Sequence, residues 1–180
     1  MKKNVIVFGL IAGAIVSGLM AVTMAMCYAN GHTNGSMYLG YATMLIAFSM
    51  IFVAVKNYRD KYNGGEITFG KGFMIGLYIA LIASTCYVVS WLIIYYNFMP
   101  DFMERYATQV LAEAKAAGAS AKELSDETAK MDSYKQMYKN PVFIMLFTYM
   151  EILPVGLIIA VIAALILKKK PNNNNVVITG

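Results

Sequence analysis

Residues 5–29 and 31–55 contain no Asp, Glu, Lys or Arg. A helix needs about 20 apolar residues to cross the ~30 Å hydrocarbon core of a bilayer. A water-soluble domain of 180 residues has no use for successive charge-free runs of that length. Over the whole chain 14% of residues are Asp, Glu, Lys or Arg, against about 25% in an ordinary soluble domain. The pattern predicts an all-α membrane protein with four transmembrane helices, arranged as two hairpins in a single domain over residues 1–170. The spans read as 5–28, 37–55, 73–98 and 142–167. The second is near the minimum length. The third and fourth reach ~39 Å at the helical rise of 1.5 Å per residue, so they must tilt or protrude.

Lysines and arginines mark the cytoplasmic side of a membrane protein. Lys2 and Lys3, then Lys56, Arg59, Lys61 and Lys71, then Lys168, Lys169 and Lys170 fall at one end of the predicted spans. The first loop has none, and the segment 101–140 dilutes its six basic residues with seven acids. Both termini and the second loop are therefore expected in the cytoplasm. The segment 101–140 then lies on the opposite, extracytoplasmic side. A cleaved signal peptide is the alternative reading of the first span, but its apolar run is longer than the 7–15 residues of an h-region. The net charge of +5 comes from these flanking residues, so the lipid bilayer rather than nucleic acid is the expected partner.

The segment 101–140 reads as a helical hairpin. Residues 101–117 are rich in Ala, Glu, Lys and Leu, Gly118 suits the position after a helix end, and Ser120 with Glu123 spells a capping box. Asn140-Pro141 closes the second helix. The tail 171–180 is polar and is expected to be disordered.

Small residues recur every four positions, including Gly9 and Gly13 in the first span, Gly72 and Gly76 in the third, and Gly156 in the fourth. Lipid tails are as apolar as leucine, so helices associate in a bilayer by close backbone approach across such grooves. Packing within the bundle and homodimerisation through Gly9 and Gly13 both fit. Tyr28, Tyr38, Tyr95 and Tyr96, with Tyr58 and Tyr62 at the other end, are expected as interfacial anchors.

Glu151 is the one carboxylate inside a predicted span. An ionisable group at membrane depth is a functional candidate by default, and no span carries a Lys or Arg to neutralise it. Pro154, three residues on, cannot donate to the carbonyl of Met150 and is expected to kink the fourth span beside the carboxyl group. Two readings stand: a proton or cation site, or a structural carboxyl bonded to Tyr87, Ser90 or Thr23. Cys27 and Cys86 lie at different depths and should stay unpaired. His32 reads as solvated. No cofactor or metal site and no catalytic constellation is apparent, and none is expected.

The stretches Tyr58-Arg59-Asp60, Asn63-Gly64-Gly65 through Gly72, Pro100-Asp101-Phe102, and Glu151-Ile152-Leu153-Pro154-Val155-Gly156 carry a family resemblance. The chain resembles the bacterial membrane family catalogued as domain of unknown function 4199, known mainly from Bacteroidetes. The resemblance implies a four-span inner-membrane protein and no activity. The first expectation for function is a non-enzymatic accessory or scaffold protein whose hairpin 101–140 meets a membrane or periplasmic partner. The second is a small, homo-oligomeric proton- or cation-coupled transporter or channel that uses Glu151.

Overall fold

The computed structural model describes residues 1–29 and 37–169. His32, Lys170 and the tail 171–180 lie outside the described residues. Six helices follow in order among the described residues: α1 Lys2–Ala29, α2 Met37–Tyr62, α3 Phe69–Phe98, α4 Phe102–Ala116, α5 Ala121–Met137 and α6 Pro141–Leu167. Among the described residues, α1, α2, α3 and α6 are long and apolar enough to cross a membrane. Their outward surfaces bear Leu10, Val22, Ile46, Val89, Ile93 and Ile166, all exposed. A helix that is apolar on every side belongs in lipid, and the chain is a multi-pass membrane protein.

The helices outrun the apolar spans read from the sequence. The largest difference is α2, which continues from Val55 through Lys56, Arg59 and Lys61 to Tyr62. Apolarity marks only the part of a helix that sits in hydrocarbon, and the charged turns beyond it cost nothing in helical hydrogen bonding. The fourth span, α6, is helical through Pro154, as a helix kinked at a proline also is. Proline removes one donor there, and the packed neighbours keep the chain helical on both sides of it.

The small residues mediate contacts within the chain. A Cβ built on Gly9 would lie 2.9 Å from the Ile82 Cβ, and one on Gly13 would lie 2.8 Å from the Cys86 Cβ. The groove considered for homodimerisation thus faces α3. Gly76 meets Ala160, Gly72 meets Ala164, and Gly156 receives both Ala80 and the ring of Phe48. These contacts place α3 against α1 and α6, with α2 reaching the centre through Phe48 and Ile51, both fully buried.

At the lysine-rich end a collar closes the bundle. Asn4 donates from Nδ2 to the Ala54 carbonyl at 3.0 Å, and Asn57 donates to Asn4 Oδ1 at 2.8 Å. Gly64 and Gly65, at φ of 65° and 83°, make the turn after α2 with a left-handed backbone that favours glycine. Ile67 and Lys169 then exchange two backbone hydrogen bonds, of 3.1 and 2.9 Å, tying the loop to the end of α6. Arg59 Nη1 donates to the Leu167 carbonyl at 3.3 Å, and Thr68 caps α3.

The hairpin of α4 and α5 forms as its local signals demand. Gly118 takes φ of 84°, and the capping box of Ser120 and Glu123 is complete. Ala107 and Met131 are buried, while Asn140 caps α6 with Pro141 at its start.

Candidate ligand cavity at Glu151

The hairpin is seated on the bundle by aromatic contacts. Phe102 of α4 meets Trp91 of α3 edge to face, with ring centroids 5.0 Å apart. Tyr138, just past α5, meets Tyr95 of α3 at 5.8 Å and Phe147 of α6 at 6.3 Å. Tyr134 meets Phe147 at 6.4 Å. Such pairs contribute about 0.5–1.5 kcal/mol each beyond the area they bury, so the hairpin is held against the ends of α3 and α6.

A second fastening joins α1 to the start of α4. The Tyr28 hydroxyl donates to Asp101 Oδ1, and Arg105 Nε donates to Asp101 Oδ2 at 2.6 Å. The Arg105 guanidinium also lies 4.3 Å from the Tyr28 ring centroid. The Tyr28 hydroxyl and then Arg105 hold the Asp101 carboxyl below the usual carboxylate range. A depressed folded pKa gives stabilisation that is complete above the unfolded value of about 4 and is lost as pH falls through the lower folded value. Wild-type melting temperature in detergent should therefore decline on acidification below about pH 4. Asp101→Asn should start lower and decline less over the same window; parallel declines would show that the fastening is not formed.

Between the hairpin and the bundle lie two adjoining cavities. One of about 160 Å³ is lined by Met20, Tyr87, Trp91, Thr148 and Glu151, among others. The other, of about 440 Å³, is lined by Met103, Tyr106, Tyr134 and again Glu151. Phe102, Tyr138 and Phe147 also border both. Glu151 is exposed along α6, and it is the one carboxylate in either lining. Burial pushes the Tyr138 phenol up to about 12, and nearby Glu151 acts in the same sense. Tyr138 is therefore a neutral hydroxyl donor at physiological pH.

Glu151 has no hydrogen-bond or ion-pair partner among the described residues. Of the three neighbours considered from the sequence, Tyr87 shares its cavity. Thr23 instead donates to the Leu19 carbonyl at 2.8 Å, and Ser90 lines neither cavity. Thr148, next to the carboxylate in the lining, donates to the Ile144 carbonyl at 2.7 Å. Pro154 lies one turn beyond, exposed on α6. Cys27 and Cys86 are free thiols.

The family model described as protein of unknown function (DUF4199) matches residues 7–169. The chain belongs to the DUF4199 family. No curated protein matches it, and no solved structure does. In this DUF4199 protein the second-loop stretch that carries the resemblance builds the collar at the lysine-rich end. The stretches at Pro100 and Glu151 border the cavity end.

The sequence singles out Glu151 and, by depth, Tyr87, but not Trp91, Phe102, Tyr138 or Phe147, which line the cavities with it. Tyr95 and Tyr58 were expected as lipid-interface anchors, yet both are buried. Tyr95 stands between α3 and the hairpin, and Tyr58 packs inside the collar with Lys71 5.3 Å from its ring centroid. A tyrosine near a span end looks the same in sequence whether it faces headgroups or a neighbouring helix. Tyr38, Tyr62 and Tyr96 are exposed and remain available to the interface.

Proposed function

We propose that this DUF4199 protein is a non-enzymatic membrane protein that takes up a small organic cation at the Glu151 cavity, as a transporter or a ligand-binding subunit. The observation that carries this reading is a carboxylate without a polar partner in a cavity walled by aromatic rings. A hard metal ion asks for six or more oxygen ligands, whereas the lining supplies one carboxylate and a few hydroxyls. Among the described residues no group of three or more His, Cys, Asp or Glu is assembled. A quaternary or alkylated ammonium asks for less. One anion balances its charge, and ring faces attract its polarised methyl groups. In this reading Glu151 is the counter-ion, Trp91, Tyr87 and Phe102 are the walls, and Tyr138 supplies a hydroxyl at the rim.

The charge pattern of the loops supports a bacterial inner-membrane placement with both termini cytoplasmic and the hairpin outside. The cavity then opens from the extracytoplasmic half. The test is thermal stabilisation of the detergent-solubilised protein by a benzyl-trimethylammonium salt, compared with sodium chloride and a neutral carbon isostere. Stabilisation by the organic cation alone supports the reading. Equal effects of all three would reject it.

A second reading, an accessory protein that docks a partner through the hairpin, is favoured by the polar outer face of α4 and α5, where Glu104, Lys115, Lys122 and Asp132 are exposed. Co-purification from native membranes of a stoichiometric partner, lost on reversing these charges, would support it. A homogeneous chain without a partner would reject it.

A further inference from the structure

At the end of the bundle remote from Glu151, a groove of about 550 Å³ opens beside α2 and the end of α6, lined by Phe52, Val53, Lys56, Asn57, Asp60, Lys61 and Leu167. The α2 residues recur at three- and four-residue spacing, so one helical face supplies them. Their chemistry changes along that face. Phe52 and Val53 are apolar and lie a turn before Lys56 in α2, and Lys56 and Lys61 stand in its last two turns. Leu167 ends α6 level with Arg59, which bonds its carbonyl.

The charge at this end is net positive. Asp60 is held by Arg59 through two hydrogen bonds, of 2.6 and 3.2 Å, so that pair is neutral. Arg59 is occupied further by the Leu167 carbonyl. Lys56 and Lys61 are exposed and have no hydrogen-bond or ion-pair partner among the described residues. Lys56 and Lys169, the latter with its backbone fixed by Ile67, lie within Coulombic reach of Asp60, so three cations besides Arg59, with Lys61, face the one carboxylate. A groove with a cationic mouth and an apolar floor matches an amphiphile with an anionic head, and basic pockets between membrane helices bind such headgroups. A water-borne phosphate would satisfy the lysines and leave the apolar floor unfilled.

We propose that this groove holds one anionic phospholipid, with its phosphate met by Lys56 and Lys61 and an acyl chain lying on Phe52, Val53 and Leu167. The lipid would bridge α2 and the collar at α6. The site is independent of the Glu151 reading.

The test is native mass spectrometry of the full chain released from vesicles of phosphatidylglycerol mixed equally with phosphatidylcholine. One phosphatidylglycerol should be retained, preferred over phosphatidylcholine by about tenfold or more. Lys56→Gln with Lys61→Gln should abolish the preference, and Lys56→Arg with Lys61→Arg should keep it, which separates lost binding from lost folding. Lys2→Gln with Lys3→Gln, outside the groove, should leave it unchanged. Equal retention of the two lipids would overturn the proposal, as would a preference that survives the glutamine pair. Displacement of the lipid by millimolar inorganic phosphate would show a phosphate site and would also overturn it.

Discussion

Replacing Gly76 by leucine is expected to prevent the four-helix bundle from closing. The Cβ alone would fall 2.7 Å from the Cβ of Ala160, 3.0 Å from its Cα and 3.0 Å from Ile51 Cγ2. Two of those atoms can move only if α6 itself moves. Overpacking a core that can adjust typically costs about 1–3 kcal/mol, and a contact against backbone exceeds that range. The bilayer offers no compensation, because lipid tails receive a displaced leucine as readily as a helix does. Gly76→Leu should run as an aggregate or a loosened species in size-exclusion chromatography, with its thermal transition lost. Gly40→Leu is the control, since nothing lies within 4 Å of a Cβ there. A Gly76→Leu protein that melts like wild type would mean that α3 and α6 do not approach as described.

Glu151→Gln should leave the fold intact and weaken cation binding. The carboxylate has no protein partner to lose, so melting temperature should stay close to that of wild type. The isosteric amide keeps the shape of the cavity and the hydrogen-bonding tip, and removes the negative charge. A desolvated cation held by rings alone retains about 2 kcal/mol of attraction. Loss of its counter-ion should weaken binding by tenfold or more, equivalent to at least about 1.4 kcal/mol. Affinity for a neutral isostere should not change. If Glu151 were only a protonated packing residue, glutamine would be silent towards both ligands.

The membrane spans were legible because charge-free runs are a direct record of what hydrocarbon tolerates. Helix ends were less so. α2 continues past Val55 because Lys56, Arg59 and Lys61 are good helix formers that water solvates, and their charge hid the extra turns. The hairpin was legible where the signals are local, at Gly118, at Ser120 with Glu123, and at Asn140-Pro141. The stripes of Gly9, Gly13 and Gly76 announced close packing without saying against which helix. That answer depends on Ile82, Cys86 and Ala160, far off in the chain. The pairing of Asn4 with Asn57 was invisible for the same reason.

At the candidate site, Glu151 stood out because a carboxylate in an apolar run is conspicuous by itself. Its surroundings did not stand out. Tyr87 was legible by its depth alone, but Phe102 and Tyr138 belong to the hairpin, Trp91 to α3 and Met20 to α1. Only the docking of α4 and α5 onto the bundle brings them to one cavity. The local spacing of aromatic residues carries no record of that docking.

Trp91 is the single tryptophan of the chain and lines the cavity beside Glu151, so its fluorescence reports on this site alone. The most direct measurement is a titration of the purified protein with benzyl-trimethylammonium, following Trp91 emission, against the neutral carbon isostere. A saturable change with the cation, absent with the isostere and shifted to at least about tenfold higher concentration in Glu151→Gln, is the result expected of an organic-cation site. Emission that does not saturate, or that responds equally to both compounds and in both proteins, would contradict it.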